Sequence, residues 1–196
     1  MAARFLDVLR SRVLGSAVAP AGWNQARVGN TGTSWWLNAI KGAYFFDVRI
    51  TPSFEDDTAG RTDVTSFAQT VVAKLTSGSP APVSLVPASN AITGWSFDPT
   101  NPQTASGPAV ANDATSAINL IDGASGPFYD PSKSYQAKGL AWEDYTNGTY
   151  TIDLRIWQMP STTAAGQLYT DLLSDSLWAN TTWTTCSGTD PANPCP

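Results

Sequence analysis

Two segments of this chain repeat one short sequence, and this repeat constrains the fold more than any other feature. Residues 41–50 align with residues 147–156 at a constant offset of 106, and a Gly, a Tyr, an Asp, an Arg and an Ile coincide. Each copy follows an aromatic run and precedes a segment with helical periodicity. The repeat therefore predicts two related half-units, which we expect to face each other.

Each copy has the pattern of a hairpin followed by a helix. Residues 44–50 and 150–156 alternate apolar and polar side chains, as half-buried strands do, and Gly42 and Gly148 mark hairpin turns. Apolar stripes over 64–75, capped by Thr62 or Asp63, and over 165–173 predict helices. The predicted fold class is α+β, with two pseudo-repeated helix-hairpin-helix units packed on an antiparallel sheet.

The chain divides into four predicted segments within one compact domain. They are a first half-unit (1–78) that opens with a helix over 2–15, a Pro-rich extended connector (79–112), a second half-unit (113–180) and a Cys-closed C-terminal tail (181–196). In the connector we expect short edge strands at 83–86 and 92–97 and an exposed loop over 101–111. Asp113 is the expected cap of a short helix.

The repeat also predicts a strand register. If the two matching strands pair antiparallel about a pseudo-two-fold axis, Asp47 faces Arg155 and Arg49 faces Asp153. Such opposite-charge pairs contribute about 0.2–1 kcal/mol each. The alternative is that these four residues are solvated side chains on an outer face.

Composition excludes several classes of function. The net charge is −5 and charged residues make up only 14% of the chain, so a nucleic-acid-binding surface is not expected. Histidine is absent, which excludes Ser-His-Asp and Cys-His catalysis and zinc sites that use histidine. No apolar run approaches the ~20 residues of a membrane span.

The two cysteines, Cys186 and Cys195, lie in the Gly/Pro-rich tail. A small loop closed by a disulfide is the preferred interpretation, and it indicates an oxidising compartment. The alternative is two free surface cysteines. A surface rich in Ser, Thr and Asn and poor in charge agrees with an extracellular or cell-surface location.

Carboxylates give only weak candidates for chemistry. Glu55, Asp56 and Asp57 could hold calcium, but the EF-hand spacing is absent and a solvated loop explains them as well. Glu143 and Asp144 are neighbours on a predicted strand, so they point to opposite faces and cannot by themselves form a glycosidase pair. We predict no catalytic residues and no cofactor.

The eight tryptophans are a stronger signal for binding. Trp35 and Trp36 are adjacent in a predicted strand, so one faces inward and the other outward. One of these two and Trp157 are the candidates for a contact surface, which would stack on sugar rings or seal a subunit interface. Packing in the core is the alternative.

Part of the chain resembles an uncharacterised domain family of exported bacterial proteins. The resemblance begins at Ile118-Asn119-Leu120-Ile121-Asp122-Gly123-Ala124 and continues through Tyr135, the strand 150–159, Pro160-Ser161 and Ala164-Ala165-Gly166. The segment 32–75 resembles the half that comes second in the family, so the halves stand here in permuted order. The resemblance implies fold and export, and it implies no catalytic residues.

These observations together favour a non-catalytic extracellular structural protein that assembles with identical chains, as a filament or a surface layer. A permuted order would let the half-units complete each other head to tail between chains. The first alternative is a carbohydrate-binding module that uses exposed Trp to bind polysaccharide. The second alternative is a glycoside hydrolase.

Overall fold

The protein is described by a computed structural model that covers residues 23–31, 33–51, 57–75, 78–120, 136–172 and 182–186. Eight strands in these residues form one sheet in which every pair is antiparallel. They are β1 (Gln25–Asn30), β2 (Trp35–Lys41), β3 (Tyr44–Thr51), β4 (Ser96–Phe97), β5 (Ala109–Ala111), β6 (Gly139–Thr146), β7 (Thr151–Gln158) and β8 (Thr182–Cys186). Their order is β4-β6-β7-β3-β2-β1-β8, and β5 pairs with β6 as β4 does. The α+β class is thereby confirmed.

Helices cover the sheet on both faces. They are α1 (Asp57–Ala73), α2 (Pro82–Leu85), α3 (Ala114–Leu120) and α4 (Thr162–Asp171). Helices α1 and α4 both pack against β2 and β3. Their apolar residues belong to separate cores, which shows that the two helices lie on opposite sides of the sheet. We call these sides of the sheet the α1 face and the α4 face.

The α1 face holds the larger core. Val64, Phe67, Ala68 and Val71 form one stripe on α1 at the spacing that puts them on a single side of a helix, and all are fully buried. They meet the alternate residues of the central strands, Phe46, Val48, Ile50, Ile152, Leu154 and Ile156. Each buried Val, Leu, Ile or Phe side chain of this core contributes about 1.5–3 kcal/mol to stability by its burial.

The α4 face holds a smaller core near one end of the strands. Phe45 and Trp157 pair across β3 and β7, and both pack in one cluster with Leu168 of α4. Ser161 caps this helix, since its Oγ accepts a hydrogen bond from the backbone N–H of Ala164 at 3.1 Å. The rest of the α4 face of the central strands carries polar side chains.

The register of β3 and β7 confirms the pairing that the repeat predicts. Asp47 lies opposite Arg155, and Arg49 lies opposite Asp153. Val48 lies opposite Leu154, its own counterpart in the repeat. A pseudo-two-fold axis therefore passes through the sheet between these two residues, and we call the β3–β7 ladder the seam.

The hairpins on either side of the seam are equivalent in register as well. Trp36 pairs with Arg49 in the first hairpin, and Trp142 pairs with Arg155 in the second, again at an offset of 106 residues. The helices that follow do not share this relation, since α1 and α4 pack on opposite faces. The equivalence thus extends over the four strands and ends where the chain leaves the sheet.

The connector differs from its predicted form in three places. Residues 82–85 form the one-turn helix α2 and not an edge strand, because Pro82 occupies a first helical position that needs no N–H donor. Of the 92–97 strand only β4 forms, and part of the predicted loop 101–111 forms β5. Both strands pair with the outer edge of β6 and so cover it.

The helix boundaries also differ from those predicted. Helix α1 begins at Asp57, earlier than a cap at Thr62 or Asp63 would place it. Asp113 is the cap expected for α3, because its Oδ1 accepts a hydrogen bond from the N–H of Ser116 at 2.8 Å. The helix predicted over 2–15 lies outside the described residues.

Candidate functional site

Polar side chains form two rows across five strands on the α4 face. Register partners in an antiparallel ladder point to the same face, so each row can be read directly from the pairing. The first row is Arg27, Asn38, Asp47, Arg155 and Trp142, and the second is Gly29, Trp36, Arg49, Asp153 and Asp144. We call these two rows the polar rows, and the seam runs through the middle of both.

Arg27 begins the first row and is almost completely buried, with 1% of its surface exposed. Its Nε and Nη2 donate to Oδ1 of Asn38 at 3.2 and 3.1 Å, and its Nη1 donates to the carbonyl oxygen of Tyr169 at 2.8 Å. The guanidinium also lies 4.2 Å from the centre of the Tyr169 ring. Burial lowers the pKa of Arg27 to about 10, so it remains charged at neutral pH.

Asp47 continues this row at the seam. Its Oδ1 accepts a hydrogen bond from Nδ2 of Asn38 at 2.8 Å, and only 8% of the residue is exposed. Burial, together with the charge of Asp153, raises the pKa of Asp47 to about 7, against the opposing effect of Arg155, Arg49 and Arg27. This carboxyl group therefore titrates near neutrality, although three arginines lie around it.

Two arginines converge on Asp153 in the second row. Arg155 donates from Nε and Nη2 to the two carboxylate oxygens at 2.9 and 2.7 Å, a bidentate arrangement within one strand. Arg49 adds one bond across the seam, from Nη2 to Oδ2 at 3.3 Å. The side chain of Arg49 is 39% exposed, so this arginine is the most open charged group of the polar rows.

Each hairpin stacks its arginine on its tryptophan. The guanidinium carbon of Arg49 lies 5.0 Å from the ring centre of Trp36, and that of Arg155 lies 4.8 Å from the ring centre of Trp142. Cation–π contacts of this kind contribute about 0.5–1 kcal/mol, and more where water is excluded. The two copies of the repeat thus share an Arg–Trp contact as well as matching residue types.

Asp144 ends the second row, directly opposite Asp153 in the ladder. Like charges in this position are unfavourable, and hydrogen bonds compensate. Its Oδ1 accepts from Nε1 of Trp142 at 2.9 Å, and its Oδ2 accepts from Nδ2 of Asn101 at 2.7 Å. Burial and then the charge of Asp153 raise the pKa of Asp144. The connector therefore contributes to the rows through Asn101.

Glu143 lies on the other face, as its position next to Asp144 predicts. It is fully buried, and its Oε1 accepts the backbone N–H of Asp144 at 3.1 Å. Its Oε2 has no hydrogen-bond partner in the described part of the protein. Burial raises the pKa of Glu143 to about 7. The two carboxyl groups are separated by the sheet and cannot act on one substrate.

The structure corrects two of the three tryptophans predicted to form a contact surface. Trp35 packs in the core of the α1 face and Trp157 in that of the α4 face, with 2% and 1% of their surfaces exposed. Helices cover both sides of the central strands, so alternation along a strand does not bring either indole to solvent. Trp36 is half-buried and lies beside Arg49 in the second polar row.

Three other predicted site residues, Glu55, Asp56 and Cys195, lie outside the described residues. Asp57 is the first residue of α1, and Cys186 is the last residue of β8. Among the residues that the structure describes, no group of three or more acidic or sulfur-bearing side chains is arranged to hold a metal ion.

The sequence patterns do not indicate Arg27 and Asn38 as site residues, and they indicate no role for Trp142 and Asp144 in the rows. The segment around Arg27 is short and mixed in polarity, so it carries no strand signal. The sequence does contain an indication of the role of Trp142, because this residue stands 106 positions after Trp36, which is the offset of the repeat. Extending the repeat upstream from Gly42 would have found it.

Comparison of the chain with protein-family models, with curated proteins and with solved structures finds no match. None of the helices in the described part of the chain has both the length and the apolar character that crossing a membrane requires.

Proposed function

We propose that this protein is a non-catalytic structural subunit that assembles with identical copies of itself outside the cell or at its surface. One observation carries the proposal: two carboxylates of the polar rows, those of Asp144 and Asp153, are bonded to neighbouring protein groups through both oxygens. Both oxygens of Asp144 and both of Asp153 accept hydrogen bonds from protein groups. A general acid or base must keep one side open to a substrate, and these groups instead join strands and connector.

The relation between the two halves of the chain supports self-assembly. We infer that the hairpins within residues 1–78 and 113–180 descend from one duplicated unit, whose following helices came to pack on opposite faces of the sheet. The equal hairpin registers and the paired contacts of Arg49 with Trp36 and of Arg155 with Trp142 support this origin. A unit that pairs with its own copy has a surface complementary to itself, and such a surface allows identical chains to associate.

An extracellular location fits the same proposal. Charged residues make up only 14% of the chain, and the resemblance to exported bacterial proteins implies secretion. A disulfide between Cys186 and Cys195 would form there and would close the C-terminal tail just after β8.

The proposal is tested by the mass and shape of the purified full chain. We expect light scattering to give masses of several chains that increase with concentration, and negative-stain microscopy to show particles or filaments of uniform width. A single-chain mass at every concentration up to that of the micrographs would contradict the proposal.

Binding of polysaccharide at Trp36 is the second candidate. It is favoured by the half-buried indole of Trp36, which lies beside the partly exposed guanidinium of Arg49 in the second polar row. We expect a polysaccharide that binds there to change tryptophan fluorescence in the wild type and not in Trp36→Phe. Trp157→Phe is the matched control, because that indole is buried and its removal leaves the binding response.

A further inference from the structure

We propose that the seam is an exchangeable interface, through which the N-terminal unit of one chain pairs with the C-terminal unit of the next. The N-terminal unit comprises β1, β2, β3 and α1, and the C-terminal unit comprises β6, β7, α4 and β8. This inference rests on the proposed assembly function and names the surface and the partner, which is a second copy of this chain.

The N-terminal unit is incomplete on both sides. Its three strands form a small sheet whose two edges are β3 and β1. Strand β7 pairs with the β3 edge over eight residue pairs, and β8 pairs with the β1 edge over five. Unpaired strand edges readily recruit strands from other chains. The C-terminal unit therefore supplies what both edges need, from its own chain or from another.

The C-terminal unit also supplies contacts to the N-terminal unit beyond the two ladders. Helix α4 packs on β2 and β3, and the carbonyl oxygen of Tyr169 accepts the hydrogen bond from the buried Arg27. Without α4 this guanidinium would lose a partner inside the fold, which is unfavourable. A C-terminal unit from another chain would thus provide a hydrogen-bond acceptor for the buried guanidinium of Arg27 as well as partners for the backbone groups of the strand edges.

The seam specifies the strand register without specifying which chain supplies the strand. Each hairpin is closed locally by its own turn, at Gly42 or Gly148, both with positive φ. No short turn joins β3 to β7, because the chain passes through the connector between them. The facing pairs of Asp47 with Arg155 and of Arg49 with Asp153 form equally well within a chain or between chains.

Exchange of this kind produces a head-to-tail contact. Each chain would offer its N-terminal unit to one neighbour and its C-terminal unit to another. Such heterologous contacts close into a ring or continue as a filament. Both products are compatible with the proposed structural role.

Two charge-reversed chains test the inference. The first carries Asp47→Arg with Arg49→Asp, and the second carries Asp153→Arg with Arg155→Asp. Each chain alone places like charges opposite each other at both positions of the seam. Together, the reversed β3 of the first chain and the reversed β7 of the second are complementary, and so are the two unaltered strands. The control is one chain with all four substitutions, which restores complementarity within itself.

We expect the two chains, refolded together, to give a soluble complex with equal amounts of both in native mass spectrometry. The folded yield should exceed that of either chain alone by more than about tenfold, because complementary pairs replace like-charge pairs. A mixture that folds no better than its separate components would overturn the inference if the control folds. Failure of the control would overturn it too, since the charges would then not be interchangeable. Homodimers of the first chain alone would indicate that β3 pairs with β3, which also overturns it.

The result separates the inference from the proposed function. If the wild type assembles but the two charge-reversed chains do not complement each other, the structural role stands and the contact between chains lies on another surface. Complementation with a wild type that remains monomeric would keep the exchangeable seam and remove the structural role.

Discussion

Replacing Glu143 by Gln should stabilise this protein at neutral and alkaline pH. The carboxyl group is fully buried, and its Oε2 lacks a hydrogen-bond partner among the described residues. Burial raises its pKa from 4.5 to about 7. The folded state therefore holds a proton between these two pH values that the unfolded state has released, and folding is less favourable when that proton is lost.

The expected size follows from the same shift in pKa. Each pKa unit corresponds to about 1.4 kcal/mol, so the rise to about 7 corresponds to about 3 kcal/mol. Water that reaches the carboxyl group would reduce this value, and we expect about 1–3 kcal/mol above pH 8. The contribution is fully present below about pH 4.5 and is lost as the pH rises through 7. The Gln variant has no such loss.

Urea unfolding followed by tryptophan fluorescence from pH 4 to pH 9 measures the effect. We expect wild type and Glu143→Gln to agree at pH 4 and to diverge as the pH rises. Asp113→Asn is the control of opposite sign, because hydrogen bonds from Ser116 lower the pKa of Asp113. That variant should be destabilised at neutral pH and approach the wild type as the pH falls below 4. A Glu143→Gln variant that is less stable than wild type at pH 8 would refute the reasoning.

Substitutions at three further positions test the polar rows, the core and a turn. Arg27→Met should cost about 3–5 kcal/mol in chemical unfolding, because it leaves Asp47 with less compensating charge and Tyr169 without its donor, and Arg27→Lys should recover little since lysine lacks the forked geometry. Phe67→Ala removes a fully buried ring and should cost about 3–5 kcal/mol with loss of near-UV circular dichroism. Gly148→Ala should cost about 1–2 kcal/mol by thermal unfolding, because its φ of 88° disfavours a side chain.

The centre of the fold could be predicted because the Asp-x-Arg pattern allows one favourable antiparallel register with its own copy. Asp47 and Arg49 fit Arg155 and Asp153 only when Val48 lies opposite Leu154, and a shift by one residue would turn every side chain to the wrong face. The pattern of charged and apolar residues within each strand is therefore enough to predict how the two strands pair.

The faces of the sheet could not be predicted, because both are buried. Alternation separates inside from outside only when one side of a sheet meets water. Here Trp35 and Trp157 lie on opposite faces, each under its own core. The sequence also does not indicate which face of the sheet α1 and α4 each cover, since both helices have similar apolar stripes and either could cover either face.

The polar rows were only partly predictable for a related reason. Arg27 reaches them from β1, a strand whose sequence shows no clear alternation, and its partners come from β2 and α4. Such contacts depend on which strands become neighbours in space. The short strand β8, which completes the β1 edge, was missed in the same way.

The free energy of unfolding of the charge-reversed chains tests the central claim most directly, namely that complementary charges across the seam join the two equivalent hairpins. Reversal in β3 alone (Asp47→Arg with Arg49→Asp) and in β7 alone (Asp153→Arg with Arg155→Asp) should each cost about 3–5 kcal/mol. The chain reversed in both strands should recover at least half of the summed loss. Losses that simply add in the doubly reversed chain, within about 0.5 kcal/mol, would contradict the claim.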